Sequence, residues 1–454
     1  MCWNRQKGKF IKMFVGRTAE LKFLEHYYEQ DGSRILVVYG QRGVGKTALL
    51  RKFTEKKVSV TYVARSCSDR EQRYQWACEL ESNGVEIAGY PEYSEIFQQI
   101  SSEFHEKKLV FVIDEFHYIA KNNAAFLEQL VDYMNHASEA ILFVLCTSAA
   151  GWVENSMVGR FGSAALSISG LLKVREMHFE EIVKCFPGFD KKAYIENYAV
   201  LGGMPGLWNC FTPEWNTRDN IIQNVLTKES RLYNELSTFM FEELRELAVY
   251  NTILAAMARG CNKLNDIHRH TGFSRAKISV YLKNLMELEL VEKVFSFDLD
   301  DRGDTQKGIY RISNPFVRFY FRFLFPNGTL LKELEPEAFY RAAVEAVFPE
   351  YVEEAYRRIC REEIGSISKS VGEWLGKAGT LDVVSRERDG SMVVANCSYS
   401  RQMGIEDYEW LTYCAAKAKI SNAVLCLYSE VGFDAKLQQI AAQNEVELCS
   451  INME

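Results

Sequence analysis

The chain has 454 residues, of which 47% are apolar and 25% are charged, and its net charge is −7. This length is too great for one ordinary core, and with only 8 prolines the composition excludes long disordered linkers. The negative balance excludes a general attraction for nucleic acid, so any such contact requires a local basic face.

No apolar run reaches the ~20 residues that a membrane-spanning helix requires. The 12 cysteines are scattered singly without a C-x-x-C pair, and the histidines lack the spacing of zinc ligands. The composition therefore predicts a cytoplasmic protein of several domains, with free thiols, no membrane partner and no structural metal.

Residues 40–47 read Gly-Gln-Arg-Gly-Val-Gly-Lys-Thr, and the apolar run 35–39 before them predicts a strand. Such a loop surrounds phosphate oxygens with backbone N–H groups, while its lysine and threonine serve the phosphates and Mg²⁺. The helical pattern at 48–53 would point the positive end of its dipole at the same phosphates. We therefore expect ATP and Mg²⁺ as cofactors. The expected nucleotide-binding residues are Gly40, Gln41, Arg42, Gly43, Val44, Gly45, Lys46, Thr47 and Ala48.

An acidic pair follows the apolar run 109–113, which has the composition of a central parallel strand. Asp114 would join Thr47 in holding Mg²⁺. Glu115 would polarise the attacking water, and Lys46 would act as the catalytic cation. The alternative is an acidic start to the following helix, where the helix dipole favours carboxylates. The phosphate loop upstream favours the catalytic interpretation.

Two further positions are candidates for contact with the terminal phosphate. Thr147 and Ser148 follow the apolar run 141–146, where a hydroxyl would act as a phosphate sensor or as a simple helix cap. Arg160 lies between two glycines and suits either an arginine finger or a surface loop. The residues alone leave both alternatives open.

These motifs resemble those of the archaeal-type P-loop ATPases, a group within the AAA+-like and STAND ATPases. The resemblance rests on the entry motif Phe-Val-Gly-Arg at 14–17, the phosphate loop, the acidic pair, and Leu-Gly-Gly-Met-Pro at 201–205. It implies an α/β fold, with a parallel sheet in a P-loop NTPase core and a small helical lid after it. The entry motif would pack on the adenine or simply on the core.

The segment 246–312 has the pattern of a winged helix-turn-helix, in which three short amphipathic helices precede a hairpin. Its predicted elements are helices at 246–258, 264–270 and 275–288 and strands at 290–297 and 308–312.

Arg275 and Lys277 would contact DNA if the third helix of this segment enters the major groove by its amino end. The tip between the strands, 298–307, carries four aspartates against one arginine and one lysine, which would repel phosphates. The sequence therefore leaves two kinds of partner open. The winged helix contacts DNA, or it packs on the nucleotide domain, a protein partner or a second copy of the chain.

The order of predicted strands and helices after about 345 resembles the restriction-endonuclease-like α/β fold. In that fold an aspartate on one strand and an acid-x-lysine on the next hold Mg²⁺ for phosphodiester cleavage. Asp382 matches the first position, but Asn396 and Ser398 stand where the acid and the lysine would be. Neither supplies the missing charge, although Glu353 or Glu354 could be a remaining acid. We expect an inactive domain that serves as a binding or scaffold module.

These patterns divide the chain into five predicted parts. They are an ATPase core at 13–165, a helical lid at 166–245, a winged helix at 246–312, an aromatic connecting segment at 313–345 and a nuclease-like domain at 346–454. The expected function is an ATP-hydrolysing switch that moves the winged helix and the inactive tail. An ATP-regulated DNA-binding protein and an active Mg²⁺-dependent nuclease are the alternatives.

Overall fold

The chain divides into two compact units, Met1–Glu176 and Met177–Glu454. Phe14 and Val15 of the entry motif and the wing tip 298–307 lie outside the described residues. A computed structural model describes residues 16–87, 89–102, 108–137, 140–235, 246–297, 308–443 and 445–453. Within these ranges, no helix combines the length and the apolar character needed to cross a bilayer.

The first unit contains a parallel five-stranded sheet with the strand order β2-β3-β4-β1-β5. Its central strands are continuous apolar runs because helices cover both faces of a parallel sheet. This confirms the predicted α/β fold. The strands are β1 Arg34–Tyr39, β2 Ser59–Val63, β3 Leu109–Asp114, β4 Ile141–Thr147 and β5 Ile168–Lys173.

Eight helices of the first unit lie in the part of the chain that the structure describes. Trp76 of α3 stacks on Tyr62 of β2 with ring centroids 3.9 Å apart, and both side chains are buried. The helices are α1 Thr18–Glu29, α2 Lys46–Thr54, α3 Asp69–Ser82, α4 Tyr93–Ser102, α5 His117–Asn122, α6 Phe126–His136, α7 Ala150–Asn155 and α8 Met157–Phe161, and a 3₁₀ turn follows at Gly162–Ser167.

Strand β5 pairs with β1 in this first sheet, although the predicted boundary at 165 places its residues in the lid. The first unit therefore extends beyond the predicted core.

The second unit begins with short helices in the region predicted as the lid. Gly202 ends α10 with φ 60° and ψ −157°, a conformation that essentially only glycine adopts. A Cβ on Gly203 would lie 1.9 Å from the carbonyl oxygen of Met177, and Pro205 begins the next helix. The backbone conformation and close packing at these positions thus account for the residues of the Gly-Gly-Met-Pro motif. The helices are α9 Phe179–Cys185, α10 Lys191–Leu201, α11 Pro205–Trp208 and α12 Thr217–Ile221, which continues as a π-helical turn, Ile222–Leu226.

The winged helix follows, with three helices and an antiparallel strand pair. The Ser274 side chain accepts the backbone N–H of Lys277 and so caps the third helix, as its sequence predicts. The elements are α13 Leu247–Ala258, α14 Leu264–Thr271, α15 Arg275–Glu287, β6 Val291–Val294 and β7 Ile309–Ile312.

A connecting segment and a mixed α/β domain complete the second unit. The sheet of this tail domain has the order β12-β11-β10-β9-β8, with β8, β9 and β10 antiparallel and β10, β11 and β12 parallel. It is consistent with the predicted α/β domain, while the resemblance to nucleases remains a prediction. The elements are α16 Pro315–Phe319, α17 Gly328–Glu333, α18 Pro336–Ala343, α19 Phe348–Gly365, β8 Ser370–Leu375, β9 Thr380–Arg386, β10 Met392–Ser398, α20 Ile405–Lys417, β11 Ala423–Ser429, α21 Ala435–Ala441 and β12 Glu447–Cys449.

Helix α19 joins the lid region to the rest of the second unit. The Tyr351 hydroxyl lies 3.1 Å from the carbonyl oxygen of Ala199 and 3.0 Å from that of Pro315. Further along the same helix, the Glu362 carboxylate accepts a hydrogen bond from the Phe179 N–H at 2.8 Å and one from the Tyr198 hydroxyl at 3.0 Å. Because these groups are largely buried, the bonds fix the helix against the lid.

The wing is attached to the tail by a second set of contacts. Arg311 of β7 forms a two-point ion pair with Glu373 of β8, at 2.7 and 3.0 Å. The Phe297 N–H donates to the Glu373 carbonyl oxygen at 2.7 Å. Glu354 of α19 completes the network, 3.4 Å from Arg311 and 2.5 Å from Arg318. Lid region, winged helix and tail therefore form one packed unit.

We expect Gly203→Ala to lower the free energy of unfolding of the second unit by about 3 kcal/mol or more, because its Cβ would overlap the Met177 backbone. Gly328→Ala is the matched control, since nothing lies within 4 Å of the added carbon. Urea unfolding of both variants measures the difference. Equal stability of the two would contradict the close approach of residues 177 and 203.

We expect Arg311→Met to cost about 3 kcal/mol, since it leaves the largely buried Glu373 carboxylate without its partner. Glu373→Gln should cost less, because Glu354 still pairs with Arg311. The double variant should cost clearly less than the sum of the two. A double-mutant cycle on urea unfolding measures this coupling. The exposed pair Lys184 and Glu180 provides the control cycle, in which we expect no measurable coupling.

Candidate active site

The loop between β1 and α2 adopts the backbone that its glycines allow. Gly43 and Gly45 have φ values of 84° and 102°, which glycine adopts without strain. Gly40 is restricted more tightly, because a Cβ there would lie 2.1 Å from the Val174 carbonyl oxygen. Since α2 begins at Lys46, the unpaired N–H groups of its first turn face the space that the loop encloses.

Lys46 and Thr47 are the two side chains of the loop with predicted chemical roles. The Lys46 ammonium is buried and donates to the carbonyl oxygens of Gly40 and Gln41, at 2.7 and 3.0 Å. The Thr47 hydroxyl is 3.4 Å from a carboxylate oxygen of Asp114. The structure therefore brings together the predicted phosphate-binding and metal-binding residues.

The residues at this point fit a magnesium ion. The Thr47 hydroxyl lies in the first turn of α2 and the Asp114 carboxylate at the end of β3. Both are hard oxygen donors, the donor type that Mg²⁺ prefers. Cys146 lies beside Asp114, and burial raises the pKa of its thiol well above the usual value. The thiol stays protonated and adds no competing charge.

The Glu115 carboxylate contacts Ser148, which follows β4, and His117, which begins α5. The backbone of Glu115 has φ 52°, and one carboxylate oxygen accepts both the N–H and the hydroxyl of Ser148, at 2.9 and 2.8 Å. His117 Nδ1 lies 3.3 Å from the same oxygen. Burial by itself raises the pKa of Glu115, but the donors of His117 and Ser148 outweigh it and lower the pKa to about 2.

The other two predicted positions make different contacts. Thr147 is buried, and its hydroxyl oxygen lies 2.8 Å from His117 Nδ1 and accepts the Ala149 N–H at 3.0 Å. Arg160 is exposed and donates to the carbonyl oxygens of Ala120 and Lys121, at 2.9 and 2.8 Å. Both hydrogen bonds of Arg160 therefore go to the end of α5 rather than to the phosphate loop.

Arg17 contacts the phosphate loop, a role that the sequence interpretation did not assign to it. Its buried guanidinium donates to the carbonyl oxygen of Val44 at 3.0 Å and to that of Arg175 at 2.6 Å, and it pairs with Glu20 at 2.8 Å. The entry motif thus supports the loop from behind. The sequence shows an arginine in the entry motif, but no local pattern indicates that it bonds to Val44 and Arg175, which are distant in sequence.

The tail residues predicted as a degenerate nuclease site are engaged in other contacts. Asp382 accepts the Cys397 N–H at 3.0 Å and pairs with Arg357 at 3.3 Å. The Asn396 side-chain oxygen accepts the Asp382 N–H at 3.2 Å, and the Ser398 hydroxyl donates to the Arg401 carbonyl oxygen at 3.3 Å. Burial raises the pKa of Asp382. A guanidinium therefore lies where a metal ion would have to bind.

The two remaining acids of the tail site are also occupied. Glu353 accepts the N–H groups of Tyr399 and Ser400, at 3.0 and 2.9 Å, and Glu354 pairs with Arg311 and Arg318. Over the described ranges, no group of three or more His, Cys, Asp or Glu side chains could hold a metal ion. The tail residues do not fit a catalytic metal.

The predicted DNA-contacting residues lie on the exposed amino end of α15. Arg275 donates to the side-chain oxygen of Asn265 at 2.7 Å, and the Lys277 ammonium lies 4.9 Å from the centre of the Phe273 ring. Ser279 and Lys283 share the exposed surface of this helix.

The chain matches two known families and several relatives. Residues 14–208 match the ATPase domain predominantly from Archaea, and residues 251–293 match the arsR family of bacterial regulatory proteins. An uncharacterized protein of Methanocaldococcus jannaschii is 25% identical over 437 residues, which are 87% of this chain and 94% of that protein. An uncharacterized ATP-binding protein of the same organism is 47% identical over 47 residues, which are 10% of this chain and 80% of that protein.

A solved structure has a similar fold. The Walker-type ATPase of Pyrococcus abyssi superimposes with a TM-score of 0.51 and is 16% identical in sequence. The matched region covers 68% of this chain and 96% of the Pyrococcus protein's chain. At this identity the similarity concerns the fold alone. Residues 14–208 thus match the ATPase domain found predominantly in Archaea, and the loop geometry is consistent with that match.

Proposed function

We propose that the first unit binds ATP with Mg²⁺ and hydrolyses the terminal phosphate. One observation carries the proposal: the Thr47 hydroxyl and the Asp114 carboxylate, which follow different strands, lie 3.4 Å apart at the mouth of a glycine-rich loop. Bound there, Mg²⁺ would neutralise charge on the phosphate oxygens. The family of the domain supports this function.

Each residue of the site has a distinct task in the proposed reaction. The loop N–H groups and Lys46 bind the phosphates, and the Lys46 ammonium exchanges two carbonyl oxygens for phosphate oxygens. Glu115 orients the attacking water and receives its proton as ADP and phosphate form. Arg17 keeps the loop in place through the Val44 carbonyl. The contacts of Arg160 give no support for an arginine finger.

The second unit is the part that such a reaction would move. The hydrogen bonds of Glu362 and Tyr351 and the Arg311–Glu373 ion pair tie its lid region, winged helix and tail together. We therefore expect nucleotide-dependent changes to shift residues 177–454 as one body, with the tail as a scaffold rather than a nuclease. The support is the packing within this unit.

A second candidate function is DNA binding through α15. The observation in its favour is an exposed helix surface with Arg275, Ser279 and Lys283, within a segment that matches a regulatory helix-turn-helix family. The strands of the wing are attached to the tail, so α15 would carry most of the contact. A protein partner or a second copy of the chain on the same surface is the alternative.

We expect Lys46→Ala to abolish ATP turnover, because it removes the cation that binds the phosphates. Glu115→Gln should still bind ATP but hydrolyse it about 100-fold more slowly or worse, because an amide cannot accept the proton of water. Phosphate release measures both variants. Lys52→Ala, an exposed change on the same helix, is the control and should keep wild-type turnover. Equal turnover in Glu115→Gln would remove this residue from the mechanism.

If α15 binds DNA, Arg275→Ala with Lys277→Ala should weaken binding and reduce the salt dependence by about 0.9 logarithmic units per lost phosphate contact. Fluorescence anisotropy with a labelled duplex at several salt concentrations measures this. Lys332→Ala with Lys436→Ala removes the same charge from exposed positions elsewhere and should leave affinity nearly unchanged. A wild-type protein that binds no duplex at low salt would eliminate this function.

A further inference from the structure

Helix α15 carries apolar residues on its exposed side as well as on its buried side. Ile278, Leu282 and Leu285 are fully buried and form the side toward the core. At 3.6 residues per turn, Ala276 and Val280 lie opposite them, and both are exposed. Val280 leaves 58% of its surface accessible. These two residues, the apolar strip, occupy the line of the helix where charged side chains are usual.

Cations flank the apolar strip. Arg275 and Lys277 are exposed in the first turn of α15, and Lys283 is exposed in the third. The helix contains one acid, Glu287, which is its last residue and lies 3.9 Å from Lys283. This distribution of charge favours an anionic partner that contacts the amino half of the helix. Duplex DNA has this form, because phosphates border the major groove on both sides and base edges form its floor.

The chemistry of the apolar strip restricts what it can recognise on the floor of the groove. Ala276 and Val280 have no hydrogen-bond donor or acceptor in their side chains. Base edges in the major groove are polar except for the C5 methyl group of thymine, which 5-methylcytosine shares. Ser279 beside the strip is exposed, and its hydroxyl suits any base because it both donates and accepts. The methyl group is therefore the feature that this helix surface can distinguish.

We propose that the apolar strip selects duplexes with a pyrimidine C5 methyl group in the major groove, and that Val280 determines this specificity. The inference rests on the second candidate function, DNA binding through α15, and adds what the helix reads. Contact between the Val280 methyls and the base methyl removes apolar surface of both partners from water. Double-stranded RNA meets neither requirement, because uracil has no C5 methyl and the major groove of an A-form duplex is too narrow.

Replacement of thymine by uracil tests the proposal, because the two bases differ only in this methyl group. Selection from random duplexes with the full chain provides a bound sequence, in which each thymine is then replaced singly. We expect uracil at the contacted position to weaken binding about fourfold, the effect of one buried carbon. Fluorescence anisotropy at fixed salt measures the affinities. At the same position, 5-methylcytosine should bind about fourfold more tightly than cytosine, and a preference for it over thymine would identify it as the source of the methyl group.

Variants of Val280 assign the effect to the apolar strip. In Val280→Ala the uracil and thymine duplexes should bind within about twofold of each other, because the methyls that contact the base are gone. Val280→Ile keeps the contact and should retain the preference. Lys283→Ala is the control, which should weaken both duplexes equally and reduce the salt dependence by about 0.9 logarithmic units. Both positions are exposed, so thermal unfolding should be unchanged in all three variants.

Failure of the proposal differs from failure of DNA binding. A wild type that binds duplexes equally well with thymine or uracil at every position overturns the proposal and leaves the DNA-binding function intact. A Val280→Ala variant that keeps the full preference has the same meaning. A wild type that binds no duplex at low salt eliminates the second candidate function together with this proposal. In that case, a change of oligomeric state in Val280→Asp would assign the strip to contact with a second copy of the chain.

Discussion

Parallel pairing of β1, β3 and β4 is the constraint on which the site depends. Strand β4 lies between the other two, and all three run in the same direction. Their carboxyl ends therefore meet at one edge of the sheet, which is where ligands bind in open α/β folds. The phosphate loop, the acidic pair and the Thr147–Ser148 pair each follow one of these strands. Chain segments far apart in sequence thus become neighbours without any direct attraction between them.

Local sequence patterns were sufficient to predict much of this arrangement. Apolar runs, glycine spacing and polar strand ends predicted the parallel sheet, the loop and the acidic pair, and Ser274 predicted the start of α15. The lid motif can be recognised in the sequence because Gly202 and Gly203 both lie at positions that exclude a Cβ atom. Each of these sequence patterns lies within a few residues of the strand, loop or helix end that it predicts.

The remainder depends on side-chain direction and on distant partners. Ser148 could equally have faced a phosphate, and only the turn at Glu115 directs the carboxylate to it. Arg17 reaches the carbonyl of Val44, and Arg311 reaches Glu373, with no periodicity to indicate either bond. The pairing of strand 168–173 with β1 was not evident from the sequence, since a partly exposed edge strand has a weaker apolar pattern than β3 or β4.

The attachment of the wing also determines how the tail sheet ends. Strand β8 is the outermost strand of that sheet, and an uncovered edge of this kind offers its unpaired N–H and C=O groups to any other chain. Phe297 bonds to the Glu373 carbonyl, and the Ser296 hydroxyl accepts the Leu375 N–H. The wing therefore protects the tail from edge-to-edge aggregation. Without residues 296 and 297, the Glu373 carbonyl and the Leu375 N–H at this edge of the sheet would be unpaired, and an edge of that kind is a template for self-association.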